Sequence, residues 1–139
     1  MALRLLGDRE HSRLELRRKL QRRGFAAEPV EGVLEALARQ GLQSDQRFVE
    51  AYIAGRVEHG SGPLRLRAEL RERGLDEPLI ERQLAAYAEQ WPELLRRVHD
   101  AKYGRQPPAD RRELAKRARF LEYRGFPAEL IRQLLFDPD

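Results

Sequence analysis

Histidine is the residue type in this sequence best suited to catalysis or metal binding, and it occurs only at His11, His59 and His99. No pair of histidines has the HExxH spacing that places two zinc ligands on one helical face. None lies near a serine in a GxSxG motif, and Asp100 is expected to point away from its neighbour His99 on a helix. A metal site would require three distant segments to converge. The pattern therefore predicts three surface histidines and no metal.

Two further patterns contain residue types that are found in active sites. The segment Gly60–Pro63 has the composition of a phosphate-binding loop, but such loops follow a strand and have GxGxxG or GxxxxGK spacing. Here the segment follows a predicted helix and ends in proline, which predicts a turn between helices. Glu28, Glu31 and Glu35 share one helical face, where acidic residues near a helix start favour the dipole without catalysis. We predict no enzymatic activity and no cofactor.

The composition favours helices that each bury one narrow apolar stripe. Of the 139 residues, 36% are charged, 41% are hydrophobic and only 7% are aromatic. The absence of cysteine excludes disulfides and thiolate chemistry and agrees with a reducing compartment. No uncharged run exceeds six residues, which is too short to span a membrane. The N-terminus lacks the apolar core of a signal peptide, so a cytoplasmic location is expected.

Arginine dominates the basic residues. Of 27 basic residues 24 are arginines, and against 23 acidic residues they give a formal net charge of +4. The planar guanidinium suits carboxylates and phosphates, so this bias favours an anionic partner. GC-rich codon usage explains the bias equally well, and the distribution must decide. Residues 11–23 have a net charge of +5 and residues 111–124 a net charge of +4, so the charge is concentrated in two segments.

These two basic segments, with the corresponding helix between them, supply the candidate contacts to a partner. A basic helix can lie along a phosphate backbone, meet an acidic protein surface, or be a solvated face with intrahelical pairs. Leu16 and Leu20 mark the buried side of the first segment, which directs Arg18, Lys19 and Arg22 outward. The candidate contacts are Arg13, Arg17, Arg18, Lys19, Arg22, Arg65, Arg67, Arg71, Arg111, Arg112, Lys116 and Arg119.

The sequence contains three copies of one pattern: a leucine, a glycine four residues later, and then a bulky apolar residue. The glycines are Gly24, Gly74 and Gly125, spaced by 50 and 51 residues. Glycine after a helix adopts the left-handed conformation, and the apolar residue that follows packs back on the last turn, as in the Schellman motif. The three glycines are therefore predicted to be structural helix stops.

Start signals and apolar spacing complete a three-helix unit. Ser12 with Glu15 predicts a capping box, Asp110 with Glu113 is a second candidate, and Pro63 suits a first helical position. Apolar spacing predicts further helices around residues 3–6, 26–39, 45–58, 76–89, 92–103 and 127–136. The predicted fold is all-α, with about nine helices in three tandem three-helix repeats. The repeats span residues 1–41, 42–90 and 91–139, with net charges of +3, −2 and +3.

The segments resemble the RecX family of regulatory proteins, modulators of the RecA recombinase. The closest stretch is residues 47–74, which read RFVEAYIAGRVEHGSGPLRLRAELRERG, and residues 2–20 and 120–126 also resemble the family. The resemblance implies an elongated, curved array that binds in the groove of RecA filaments on DNA. Such proteins inhibit strand exchange and the coupled ATPase and co-protease activities in DNA repair, homologous recombination and the SOS response. The family has no catalytic residues, so the basic contacts above come from charge placement alone.

Two other functions remain open. The first is a helical protein that binds single- or double-stranded DNA directly and without sequence preference, through units like helix-turn-helix domains. No helix offers the mixture of Asn, Gln and Arg expected for reading base edges. The second is a scaffold that binds some other acidic protein. We expect a monomer with no membrane contact. Because the chain begins almost on its first helix, we expect any leading tail to be short or absent.

Overall fold

The computed structural model describes residues 1–136, and every regular element in that range is an α-helix. The prediction of an all-α fold built from three-helix repeats is confirmed. In chain order the helices are α1 Ala2–Asp8, α2 Arg13–Arg22, α3 Ala27–Arg39, α4 Asp45–Glu58, α5 Pro63–Glu72, α6 Glu77–Ala85, α7 Trp91–Tyr103, α8 Arg111–Tyr123 and α9 Ala128–Leu135. Residues 137–139, the end of the predicted third repeat, lie outside the described residues.

One helix is shorter than its apolar spacing predicted. Helix α6 ends at Ala85 rather than at residue 89, and the chain continues in turns to the start of α7. The amides of Tyr87, Ala88 and Gln90 donate to carbonyls three residues earlier, at 3.0, 3.0 and 2.8 Å. Such bonds tighten the chain after a helix and satisfy its last carbonyls. The turn places Trp91, which is buried, one residue before Pro92 in the first turn of α7.

The described residues form two compact units. The first comprises Met1–Tyr52 and Glu69–Gln83, and the second comprises Ile53–Ala68 and residues 84–136. The middle repeat is therefore divided between the two units. In the first unit α1, α2 and α3 pack together through the buried side chains of Ala2, Leu16, Leu20, Val30, Leu34 and Leu37.

The second unit has its own core, in which α7, α8 and α9 pack on one another. Leu95, Leu121 and Ile131 supply one buried residue from each helix. Phe126, just after α8, meets Trp91 edge to face with ring centroids 6.5 Å apart, a favoured arrangement for aromatic pairs. The apolar residue after the third glycine therefore belongs to this core.

The three repeat glycines end α2, α5 and α8 in the same way. Their φ angles are +91°, +82° and +101° for Gly24, Gly74 and Gly125, which is the region that favours glycine. The amides of the following residues, Phe25, Leu75 and Phe126, donate to the carbonyls of Leu20, Leu70 and Leu121, each at 3.2 Å. This is the six-to-one hydrogen bond of the Schellman motif, which satisfies a carbonyl at the helix end.

The starts of α2 and α8 differ in detail. At α2 the Ser12 hydroxyl accepts from Glu15 N at 3.1 Å, while the Glu15 carboxylate accepts from Ser12 N at 3.2 Å, which is a complete capping box. At α8 the Asp110 carboxylate accepts from Glu113 N at 2.9 Å. The Glu113 carboxylate, however, accepts from Ala109 N, one residue before the cap. At both helix starts the side chain of the cap residue therefore accepts from a free amide of the first turn.

Candidate functional site: two basic grooves

The first unit contains a groove beside α2 that carries exposed positive charge. It has a volume of about 410 Å³ and is lined by Glu15, Arg18, Lys19, Arg22, Glu72 and Arg73. We call it the first basic groove. Arg18 and Arg22 lie one helical turn apart and are exposed, as predicted from the positions of Leu16 and Leu20. Neither has an ion-pair partner among residues 1–136, so both are available to an external anion.

Two predicted contacts on α2 are instead engaged within the first repeat. Arg17 binds Glu31 of α3 with both its Nε, at 2.5 Å, and its Nη2, at 3.0 Å. Arg13 lies 3.2 Å from Glu35 and 3.8 Å from Glu31. Hydrogen bonding from Arg17 lowers the pKa of Glu31 below its ordinary value. These two arginines therefore tie α2 to α3, and a partner would have to displace Glu31 and Glu35 to reach them.

Lys19 is less exposed than the helical spacing predicted, because it reaches a buried histidine. Its Nζ lies 2.9 Å from Nε2 of His11, whose Nδ1 lies 3.1 Å from the carbonyl oxygen of Arg9. The prediction that all three histidines lie on the surface is wrong for His11, which is 1% exposed. Burial lowers the pKa of His11 and also that of Lys19. A neutral His11 with its proton on Nδ1 fits both contacts.

The predicted contacts on α5 are half-buried or paired. Arg65 and Arg67 are half-buried and engaged within the chain, and the Arg65 guanidinium lies 5.3 Å from the ring centroid of Tyr123. Arg71 forms a two-point ion pair with Glu77 at the start of α6. The middle repeat therefore offers fewer free cations than either neighbour, in keeping with its net charge of −2.

The second unit contains a corresponding groove beside α8. It has a volume of about 620 Å³ and is lined by Tyr103, Asp110, Arg112, Glu113, Lys116 and Arg119. We call it the second basic groove. Arg112, Lys116 and Arg119 are exposed at positions i, i+4 and i+7, so they form one stripe along the helix. Arg111 is exposed beside them. None of these four has an ion-pair partner in the described part of the chain.

Beneath the stripe, α8 carries a buried arginine at a position that is leucine in the other repeats. Arg117 stands seven residues after Asp110, eight before the glycine stop, where α2 has Leu16 and α5 has Leu66. Its side chain is only 4% exposed. It donates to Glu113, to the Gln106 carbonyl at 2.9 Å and to His99 Nε2 at 3.2 Å. Because every group of the guanidinium is occupied, Arg117 is part of the core of the third repeat.

The same cluster corrects two predictions about His99. His99 is buried at 7% exposure rather than on the surface, and Asp100 does not point away, since its Oδ1 lies 2.9 Å from His99 Nδ1. Adjacent residues meet here because the Asp100 carboxylate turns back to the ring. Hydrogen bonding from Arg117 also lowers the pKa of Glu113. A leucine replaced by arginine in one aligned repeat is the signal that could have found this cluster.

Burial of His11 makes the stability of the protein sensitive to mild acid. Its folded-state pKa lies below the ordinary value of 6.5, so the unfolded chain binds the proton at higher pH. Stability is then lost as the pH falls below about 6.5, toward the folded pKa. In urea unfolding between pH 7 and pH 5, we expect His11→Gln to lose less stability than the wild type, because glutamine keeps both contacts without titrating.

His59 is exposed and provides the matched control for this prediction. His59→Gln tests whether exchanging any histidine for glutamine has the same effect as exchanging His11. An equal loss of stability in His11→Gln and the wild type would mean that His11 is not the group that titrates. The stability that Glu31 and Glu113 contribute is lost in a separate, lower pH window. Their pKa values are lowered in the folded protein, so the unfolded chain takes up the protons first, as the pH falls below about 4.5.

Two other kinds of site are absent from the part of the chain that the structure describes. No cluster of three or more His, Asp or Glu side chains in residues 1–136 is arranged to hold a metal ion. In the same range no helix has both the length and the apolar character needed to cross a bilayer. The exposed cations without ion-pair partners that line the two basic grooves make these grooves the candidate site.

The sequence matches family models along nearly its whole length. Residues 1–37 match the first three-helix domain of RecX, residues 44–84 the second and residues 88–135 the third. The "Regulatory protein RecX" of Pseudomonas syringae pv. tomato is 42% identical over 134 residues, covering 96% of this chain and 86% of the relative. That of Halorhodospira halophila is 46% identical over 131 residues, covering 94% and 81%.

Solved structures agree with these matches. A crystal structure of regulatory protein RecX superposes with a TM-score of 0.82 and 25% identity, covering 97% of this chain and 69% of that one. RecX from Lactobacillus salivarius gives the same TM-score at 20% identity, covering 98% and 90%, which shows the shared fold. Family models, relatives and folds agree over nearly every residue, and this chain belongs to the RecX family of regulatory proteins.

Proposed function

We propose that this protein is a negative regulator of a RecA-type recombinase, which binds along the groove of the RecA–DNA filament. The observation that carries the proposal is the pair of basic grooves, on corresponding helices of the first and third repeats, in a chain of the RecX family. Exposed arginines without internal partners suit acidic side chains or phosphates, which a nucleoprotein filament offers in regular succession.

The two grooves act as two weak contacts on one chain. When the first groove binds, the tether raises the effective concentration of the second for a neighbouring filament site. The less basic middle repeat leaves the positive charge in two separate places. Occupation of the filament groove blocks the second DNA molecule and hinders the subunit rearrangement that accompanies nucleotide turnover. Strand exchange, ATPase and co-protease activity are inhibited together, and the regulator needs no chemistry of its own.

Binding should therefore depend on an assembled filament. We expect the protein to be retained by RecA filaments formed on immobilised single-stranded DNA with a nonhydrolysable ATP analogue. We expect it not to be retained by immobilised RecA without DNA and nucleotide, because isolated subunits cannot engage both grooves. ATPase inhibition should be complete at less than one regulator per recombinase subunit. Equal retention by free RecA, or a need for stoichiometric regulator, would refute two-point binding to the filament.

Direct binding to DNA is the second candidate, and the stripe of Arg112, Lys116 and Arg119 favours it. Three cations at this spacing follow one side of a helix and suit a phosphate backbone. Weak, sequence-independent affinity that falls steeply with salt would support this function, because phosphate contacts release counterions. The same DNA without RecA, in the retention experiment, separates the two candidates. Salt-insensitive affinity or marked sequence preference would contradict direct phosphate binding.

A further inference from the structure

The second helix of each repeat is α2, α5 or α8, and two internal junctions connect these helices. In each junction the end of one of them packs on the start of the one before it in the chain. In the first unit, the stop of α5 meets the start of α2, where Ser12 Oγ donates to the Arg73 carbonyl at 2.9 Å. A Cβ on Gly74 would lie 2.5 Å from the Leu14 side chain. The start of α2 therefore packs directly on the left-handed glycine that ends α5. We call this the first junction.

The second junction repeats the arrangement inside the second unit, between the stop of α8 and the start of α5. Gly62 N donates to the Arg124 carbonyl at 2.8 Å, and Leu64 N donates to the Gly125 carbonyl at 2.9 Å. A Cβ on Gly125 would lie 2.7 Å from the backbone nitrogen of Arg65. Free amides of a helix start thus meet free carbonyls of a helix end, and each satisfies the other.

An arginine just before the glycine strengthens both junctions. Arg73 lies 3.8 Å from the carboxylate of Glu15, the third residue of α2, and its guanidinium is 4.9 Å from the ring centroid of Tyr52. Arg124 donates to the carbonyls of Gly60 and His59 just before α5. In each junction the arginine therefore contacts the helix start, or the residues just before it, against which the glycine packs.

The stop of α2 has all of these parts and is open. Arg23, Gly24 and Phe25 repeat the arginine, the left-handed glycine and the apolar residue. A Cβ on Gly24 would meet no atom within 4 Å. Phe25 is 49% exposed, whereas its counterparts Leu75 and Phe126 are 6% and 1% exposed. Arg23 is exposed and reaches only the Met1 sulfur. The stop of α2 therefore has no helix start packed on it and forms an open half of a junction.

The start of α8 is the complementary half. Asp110, Arg111 and Arg112 are all exposed, whereas the corresponding Ser12 of α2 and Gly62 of α5 are buried at their junctions. Glu113 is the third residue of α8, the position from which Glu15 contacts Arg73 at the first junction. The chain thus presents one open stop and one open start. Like the α5 start, the α8 start can donate only backbone amides, because Asp110 has no hydroxyl to match that of Ser12.

We propose that these two halves bind each other between two copies of this chain, the α2 stop of one copy docking on the α8 start of the next. Arg23 then has the Glu113 carboxylate as its counterpart, as Arg73 has Glu15. Glu113 already accepts from Arg117 and Ala109 N, just as Glu15 already accepts from Arg9 and Ser12 N. The two surfaces are different, so the contact is head-to-tail and leaves an open half at each end, where another copy can add. Repeat proteins stack by reusing one nearest-neighbour interface, and this association continues that interface across chains.

The contact is small, which sets the concentration at which it is measured. An interface of one helix end on one helix start is well below the standard size, so a dissociation constant on the order of 100 µM is expected. The chain is then monomeric when dilute and forms short head-to-tail chains when concentrated. Sedimentation velocity from about tenfold below to about tenfold above that value should show a continuous rise in average mass. Phe25→Asp should weaken the association at least about tenfold.

Cysteine cross-linking identifies the surfaces, since the native chain has no cysteine. Full-length Arg22→Cys and Arg112→Cys proteins, mixed under mild oxidation, should give the mixed disulfide dimer at least about fivefold faster than Arg39→Cys mixed with Arg112→Cys. Arg22, Arg39 and Arg112 are all exposed, so none of these changes should disturb the fold. A constant monomer mass over the whole range would overturn the proposal. So would equal cross-linking of the two pairs, or unchanged association in Phe25→Asp.

Discussion

Changing Arg18, Arg22, Arg112 and Arg119 together to glutamate should weaken inhibition of the RecA filament by about 100-fold or more. All four side chains are exposed and line the two basic grooves. Each change replaces an attraction to an acidic surface by a repulsion, and like charges facing each other across an interface cost several kcal/mol in total. The measurement is the regulator concentration that halves the DNA-dependent ATPase rate.

The pairs taken separately distinguish two-point binding from a single site. Arg18→Glu with Arg22→Glu should cost about tenfold, and Arg112→Glu with Arg119→Glu a similar factor, because the tethered second groove still holds the filament. Reversing all four charges should weaken inhibition far more than reversing either pair. If one pair accounts for the whole loss, only that groove touches the recombinase, and the tethered mechanism is wrong.

A charge-matched variant separates these sites from a general effect of net charge. Arg39, Arg82, Arg96 and Arg97 are exposed and lie on α3, α6 and α7, outside both grooves. Changing these four to glutamate alters the net charge by the same amount. We expect less than about threefold loss of inhibition. The wild type, the variant with four changes in the grooves and the charge-matched variant should have free energies of unfolding in urea within about 1 kcal/mol of one another, because exposed substitutions have small effects on stability.

Local sequence signals predicted most of the fold. The start of α2 at Ser12, the stops at Gly24, Gly74 and Gly125 and the bounds of α4 depend on residues close together in the chain, which determine caps and apolar stripes. The end of α6 was misplaced because residues 86–88 continue an apolar helical pattern. There the chain instead forms tight turns and buries Trp91 at the start of α7.

Which arginines are free could not be predicted from charge alone. Arg17 looks as basic as Arg18 in the sequence, yet Glu31 of the next helix binds it. That pairing depends on how α2 packs against α3. Lys19 is drawn to His11 in the same way, and burial of a polar side chain depends on partners that a helical pattern does not identify. On α8 the net charge of residues 111–124 pointed to Arg112, Lys116 and Arg119, but their arrangement as one exposed stripe is seen only in the structure.

Replacing each glycine that ends a helix by alanine should lower the stability of the protein. The loss should be larger where a neighbouring helix start packs closely on the glycine. Gly24→Ala places a Cβ in open space, so only the positive φ is penalised, by about 1 kcal/mol. Gly74→Ala adds overlap with the Leu14 side chain, which has some freedom to move, and should cost about 2–3 kcal/mol. Gly125→Ala should cost most, at least about 3 kcal/mol, because the new Cβ meets the backbone of Arg65.

Gly32 provides a control of opposite sign. It lies inside α3, where a Cβ would meet nothing within 4 Å, so Gly32→Ala should stabilise the protein by about 0.5–1 kcal/mol through helix propensity. Urea unfolding of the four variants, followed by circular dichroism at 222 nm, supplies the comparison. Equal losses at Gly24 and Gly125 would show that backbone conformation alone matters at the stops. All three glycines share the penalty for a positive φ. A further loss of stability at Gly74 and Gly125 alone is expected if these two helix ends also pack against the start of a neighbouring helix.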